Sequence, residues 1–164
     1  MFDAYYDVLM QYTLKRVEDV VIAGDIVSET FFKALNGITK FRSNGISILH
    51  WLYRINSNEI SFFFRKKSSI SLEEYHETNQ EIPSDTDIES EFRQLENELE
   101  LHENFRKAQQ ILSELPIKYQ EVLSLRFLED MSIRQVAEIL NKPEGTIKSL
   151  ISRGLEMLRK KIFF

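Results

Sequence analysis

The chain has 164 residues, 43% of them hydrophobic and 12% aromatic, and carries 21 Lys and Arg against 26 Asp and Glu. That length holds one medium domain or two small ones around a real apolar core, while the absence of cysteine excludes a disulfide scaffold, thiol catalysis and thiolate zinc. No apolar run approaches the ~20 residues that span a bilayer, and Met1-Phe2-Asp3-Ala4 lacks the basic-then-apolar order of a secretory signal, so a soluble cytoplasmic protein is expected.

Helical periodicity dominates, and the chain is expected to be all-α. Phe2, Tyr5, Tyr6 and Leu9 repeat at helical spacing and predict a helix from Asp3 to about Val17. Val27, Phe31, Ala34, Leu35 and Ile38 predict a second from about Asp25 to Asn36, with Gly37 as a left-handed stop. Lys40-Phe-Arg-Ser-Asn-Gly45 reads as a loop. A third helix is expected from about Ile46 to Lys66. It carries Trp51-Leu-Tyr-Arg-Ile55, the run Phe62-Phe-Phe64 and the cluster Arg65-Lys-Lys67. Aromatics beside cations suit stacking on unpaired bases and tracking of a strand's phosphates, although each aromatic taken singly also suits a core.

Ser68 to Ser84 is polar, lacks a period and ends at Pro83-Ser84, which places a linker at residues 68–84 between domains at 1–67 and 85–164. Fully extended, such a segment reaches roughly 55–60 Å. The formal charge of −5 gathers here: residues 73–104 hold twelve Asp and Glu against Arg93 alone, while nine Lys and Arg face seven acids before them and eleven face seven after. A charged helix is expected from Asp85 to about Ser113, with Ile88, Phe92, Leu95, Leu99, Phe105 and Leu112 as its apolar stripe.

Three further helices follow. The first covers about Ile117 to Leu128, with Val122, Leu125 and Leu128 on one side. Ser132-Ile-Arg-Gln135 is a capping box that opens a short helix burying Ile133, Val136, Ala137 and Leu140. Asn141-Lys142-Pro143 breaks it. The last helix sets Ile147, Ile151, Leu155, Leu158 and Ile162 on one stripe, with Ser149, Arg153 and Lys160 opposite and Lys148, Ser152 and Arg159 on a flank. Short helix, tight turn and second helix with a polar-basic face make a helix-turn-helix pattern, whose second helix enters a major groove. An ordinary helical hairpin has the same spacing.

Taken together, these segments resemble a bacterial RNA polymerase sigma factor of the extracytoplasmic-function group. The matching stretches are Asp25-Ile-Val-Ser-Glu-Thr-Phe31 with Lys33-Ala-Leu35, Phe41-Arg-Ser with Trp51-Leu-Tyr-Arg-Ile55 and Asn58, and Leu115-Pro with Glu121-Val-Leu and Leu125-Arg. Ser132 to Leu140, Pro143-Glu-Gly-Thr-Ile-Lys-Ser149 and Arg153 complete the set. The resemblance covers both domains in order. It implies that the N-terminal domain docks on the clamp of core RNA polymerase through Asp25, Ser28, Glu29 and Phe32. It implies capture of the opened downstream (−10) promoter strand by Arg42, Asn44, Trp51, Arg54 and Asn58. The C-terminal domain is then expected to read the upstream (−35) duplex with Thr146, Lys148, Ser149, Ser152 and Arg153 and to touch the polymerase flap. An anti-sigma factor is the further partner implied, with no cofactor, no metal and no membrane insertion.

Three positions depart from the family pattern: Leu150 stands where relatives often carry Arg, Gly24 where an acid is common, and Phe62 where many have Asp. A one-component regulator is the alternative, with the same helix-turn-helix and residues 1–67 as a sensor or dimerisation domain; a helical adaptor without nucleic acid is a third reading. Catalysis is not expected, because His50, His76 and His102 are widely spaced and neither a phosphate loop nor a nucleophile–base set occurs.

Overall fold

Local capping chemistry sets most of the element boundaries. In the computed structural model, which describes residues 2–42, 45–70, 103–104 and 106–163, helix α1 spans Phe2–Val17 and helix α2 spans Val20–Gly37. The second helix begins earlier than its apolar repeat suggests. Glu18 turns the chain with a φ of 59°, and the Asp19 carboxylate accepts the amide of Ile22 at 3.0 Å, an N-cap that satisfies an otherwise orphaned donor. The far end also differs from expectation. Gly37 is right-handed, and the chain runs on into a 3₁₀ turn over Ile38–Lys40. A Cβ at Gly37 would meet the Trp51 ring at 3.4 Å, an ordinary contact.

Helix α3 spans Ile48–Ile70, starting where Ser47 accepts the amide of His50 at 3.1 Å and continuing past Lys67. Residues 106–113 form α4. The expected linker beyond residue 70 and the expected helix over 85–102 lie outside the described residues, as do His76 and His102. Helix α5 spans Ile117–Leu123 and widens into a π turn over Ser124–Leu128, where Glu129 donates its amide to Ser124 O at 3.1 Å. Helices α6, Ile133–Leu140, and α7, Glu144–Phe163, complete the order. The capping box forms in both directions, Gln135 N to Ser132 Oγ at 3.2 Å and Ser132 N to Gln135 Oε1 at 2.9 Å. Asn141 takes the left-handed conformation that ends α6, and Pro143 offers its carbonyl to Ile147 N at 3.1 Å. Among the described residues there is no strand.

Helices α1, α2 and α3 pack around Leu9, Tyr12, Val27, Tyr53 and Ile60, and helices α5, α6 and α7 around Val122, Leu125, Val136, Ile139 and Ile147. Side chains of this kind each contribute about 1.5–3 kcal/mol when fully buried. Tyr12 and Tyr53 meet edge to face, centroids 5.3 Å apart. One polar group ties the first bundle together. The fully buried Asn56 donates from Nδ2 to Thr13 Oγ1 at 2.9 Å and accepts from Thr30 Oγ1 at 3.1 Å, so α1, α2 and α3 share one amide. In the second bundle Gly154 brings α7 against α5, since a Cβ would fall 2.9 Å from Leu123 Cδ1. Buried Gln120 fastens the preceding turn by donating to Ser113 O at 3.0 Å and Leu115 O at 2.7 Å. Ile162, expected on the buried stripe, is 58% exposed at the rim of an apolar cavity of about 230 Å³ between α4, α5 and α7.

The two bundles are in contact, with α3 packed on α6 and α5. The sequence pattern divides the chain into two domains joined by a linker and carries no expectation of contact between them. Packing across the seam depends on residues far apart in sequence, which helical periodicity does not report.

Candidate nucleic-acid interface

The basic face of α7 follows from its capped start. With Ile147 fully buried against α5 and α6, Thr146, Lys148, Ser149, Ser152 and Arg153 are all exposed. Thr146, Ser149 and Arg153 fall on one side at helical spacing, with Lys148 and Ser152 beside them. Neither Lys148 nor Arg153 forms an ion pair among the described residues, whereas Lys160 is tied to Glu156 at 3.4 Å. Ser149 Oγ donates back to Gly145 O at 3.1 Å, leaving its lone pairs outward. Leu150 is half-buried and packs on the C-terminal core, so its missing charge reflects a place in the packing. A helix of this form, preceded by the α6 turn, has the shape a major groove admits.

The first bundle presents a different surface. Asp25, Ser28, Glu29 and Phe32 are exposed at positions i, i+3, i+4 and i+7 of α2, and so share one face. Val21, 72% exposed, and Phe32 and Leu35, each 61% exposed, make that face apolar as well as acidic, a composition that marks interaction surfaces. Sequence reasoning missed Val21 as a member of this face; its signal was an apolar residue one helical turn before Asp25.

Trp51, Arg54 and Asn58 lie along one side of α3, and the structure treats each differently. Asn58 is exposed; Trp51 is half-buried, its ring tilted against Phe41 with centroids 4.7 Å apart. That contact holds the loop carrying exposed Arg42 beside the start of α3. Asn44 lies outside the described residues. Arg54 is engaged: its Nε donates to Ile139 O at 3.1 Å and its Nη2 donates to Glu138 O. These are carbonyls of the last turn of α6, where a cation also complements the helix dipole.

Around Arg54 the seam is polar. Glu129, delivered by the π turn, accepts Tyr53 Oη at 3.0 Å and Lys15 Nζ at 3.2 Å. Ser61 donates to Glu121, Gln109 donates to Lys15 O at 2.9 Å, and His50 Nδ1 lies 3.5 Å from Glu138. Burial, and next the Glu129 charge, push the Tyr53 phenol well above its ordinary range.

Comparison with known proteins decides the family. The model for sigma-70 region 2 matches residues 1–70, and that for sigma-70 region 4 matches residues 105–158. The chain is 32% identical over 161 residues to the ECF RNA polymerase sigma factor SigW of Bacillus subtilis (strain 168), covering 98% of this chain and 86% of that protein. It belongs to the extracytoplasmic-function sigma factors. The sigma factor is also 31% identical to the ECF RNA polymerase sigma-E factor of Haemophilus influenzae, over 84% of this chain and 73% of that one. Its fold is that of the sigma factor RpoE of Bartonella quintana, solved with the anti-sigma factor NepR, at a TM-score of 0.65 and 20% identity over 96% and 91% of the two chains. CnrH, solved with the cytosolic domain of CnrY, gives 0.63 and 18% over 94% and 79%.

The protein is therefore a promoter-recognising transcription initiation factor that works with RNA polymerase. No helix among the described residues is long and apolar enough to cross a membrane.

Proposed function

We propose that this sigma factor divides its work between the two bundles, residues 1–67 docking on the polymerase clamp and taking the opened downstream strand, and residues 85–164 reading the upstream duplex. The exposed Asp25, Ser28, Glu29 and Phe32 face is the clamp surface; Arg42, Asn44, Trp51, Arg54 and Asn58 serve the strand. Thr146, Lys148, Ser149, Ser152 and Arg153 serve the −35 element, and the C-terminal bundle also touches the flap. The protein acts in the cytoplasm as a specificity factor without an active site of its own, and an anti-sigma factor is its antagonist.

The observation that carries this reading is the pair of unpaired cations, Lys148 and Arg153, on the exposed side of a helix whose other side is core. Phosphate contacts supply affinity and base-edge contacts supply sequence, and this face offers both kinds of donor. The match of residues 1–70 to sigma-70 region 2 argues against a sensor domain there, and so against a one-component regulator. Run-off transcription with core polymerase on genomic promoter fragments tests the proposal. Defined transcripts that appear only when the protein is added support it, and duplex binding without any initiation contradicts it.

A further inference from the structure

The run Phe62-Phe-Phe64 divides on folding. Phe63 and Phe64 turn inward, half-buried with centroids 5.4 Å apart, and the Arg16 guanidinium lies 5.9 Å from the Phe64 ring. Phe62 turns outward: it is 57% exposed and meets no other ring among the described residues. Helical spacing sets it four residues after exposed Asn58 and three before exposed Arg65, on the stripe that Trp51 begins. From Trp51 to Phe62 that stripe runs about 16 Å, at ~1.5 Å of rise per residue.

The charge along the stripe is one-sided. Glu59 is the only acid between Trp51 and Lys67. Its side chain is 11% exposed, and Lys33 of α2 holds the carboxylate. Arg65 and Lys67 are exposed and form no ion pair among the described residues, so this end of α3 is positive. A lone exposed apolar side chain is ordinary on a protein surface. A ring between an amide and a guanidinium, continuous with Trp51, is a composition that holds a single strand, bases stacking on the ring while cations follow the phosphates. Inside a duplex the base faces are already stacked on one another, so a ring of this kind suits an unpaired strand.

We propose that Phe62 is a further contact of the opened promoter strand, its ring stacking on an unpaired base while Arg65 pairs with a neighbouring phosphate. This rests on the strand-binding role proposed for Trp51 and Asn58 and lengthens it. At ~3.4 Å per stacked nucleotide the two rings stand about five nucleotides apart or fewer. Stacking reads no base edge, so Phe62 adds hold on the strand without adding sequence preference. An acid in its place, as in many members of the family, would repel the same phosphate.

Photo-crosslinking in the assembled holoenzyme identifies the occupant. The full chain carries p-benzoylphenylalanine in place of Phe62 or, in a second protein, in place of Trp51, and is bound with core polymerase to genomic promoter fragments. Illumination should join the position-62 probe to the promoter strand that the position-51 probe reaches, about five nucleotides away or fewer. A crosslink from position 62 to a polymerase subunit, or none at all, while position 51 still reaches the strand overturns the proposal and leaves strand capture by α3 in place. Failure at both positions removes the strand-binding reading and the proposal with it. Anisotropy of fluorescein-labelled poly-dT titrated with the same holoenzyme then measures the hold. Phe62→Ala should lower affinity about tenfold, the size of one base–aromatic stack. Phe62→Asp should lower it further and Phe62→Trp should keep it, an order that a merely structural role for an exposed ring would not produce. Equal affinities of the native and Phe62→Ala proteins overturn the stacking.

Discussion

Tyr53 and Glu129 lie 76 positions apart and meet through a 3.0 Å hydrogen bond from phenol to carboxylate. The bond joins the middle of α3 to the exit of the π turn, and with Lys15 it draws α1 and α3 of the first bundle onto one acid of the second. A carboxylate that accepts a phenol and an ammonium is held in one rotamer, which is why the seam has a defined geometry instead of a loose apolar contact.

That bond gives the fold an alkaline limit. Burial, then the charge of Glu129, raise Tyr53 above its ordinary value, and burial raises Tyr12 as well. In the unfolded chain both phenols ionise near pH ~10, while in the folded chain they stay protonated. The unfolded state then binds fewer protons, so this stabilisation is whole below pH ~10 and is lost as the pH rises beyond it. Melting temperatures from pH 9 to about 11.5 should fall less steeply for Tyr53→Phe than for the native protein; parallel curves would remove Tyr53 from the account.

Asn56→Ala strands the hydroxyl of Thr13 in the first core, while Thr30 keeps its 2.8 Å bond to Ile26 O. Leaving buried polar groups unsatisfied costs ~1–3 kcal/mol. Urea denaturation should show that loss with an unchanged slope, and a midpoint equal to that of the native protein would contradict the bridging role.

Gly154→Val tests the close approach of α5 and α7. Its methyls would overlap Leu123 and Tyr119, which already lie 2.9 and 3.5 Å from the position of a Cβ. Overpacking of this kind costs about 1–3 kcal/mol. Thermal melts should report the destabilisation, and a stability gain from the removed glycine would show that Leu123 yields freely.

Phe32→Ala should leave stability within about 0.5 kcal/mol, because the ring is largely exposed. If the α2 face meets the clamp, affinity for core polymerase falls about tenfold, as for an aromatic anchor of modest weight. Titration of labelled protein with core enzyme measures this; equal affinities would move the docking surface elsewhere.

Arg153→Ala should weaken transcription from promoters that need the upstream element by ~1–3 kcal/mol, the discrimination a bidentate base contact supplies. The loss should appear in template titrations of run-off transcription, with helicity by circular dichroism unchanged. Undiminished upstream dependence would assign the reading to other residues of α7.

Much of this was legible in the chain. The Ser132–Gln135 capping box, the Asn141 break and the apolar stripe from Ile147 are local patterns, and local chemistry builds them. Asp25, Ser28, Glu29 and Phe32 came from the resemblance, and the structure leaves all four exposed on one side of α2. What escaped was non-local or depended on detail below the pattern. Asp19 caps α2 ahead of its apolar repeat, and Gly37 stays right-handed where a left-handed stop was expected. Asn56 looks like one polar residue among several on α3 until Thr13 and Thr30 are placed against it. Arg54 was legible as a cation on α3, but its engagement by Glu138 and Ile139 required knowing that α6 lies there.

Permanganate footprinting of a responsive promoter reads whether the protein opens promoters together with core polymerase. With core enzyme and the native protein, thymines of the downstream element should become reactive, and with core enzyme alone they should not. Upstream protection with no reactive thymines downstream would show a duplex-binding regulator and contradict the account.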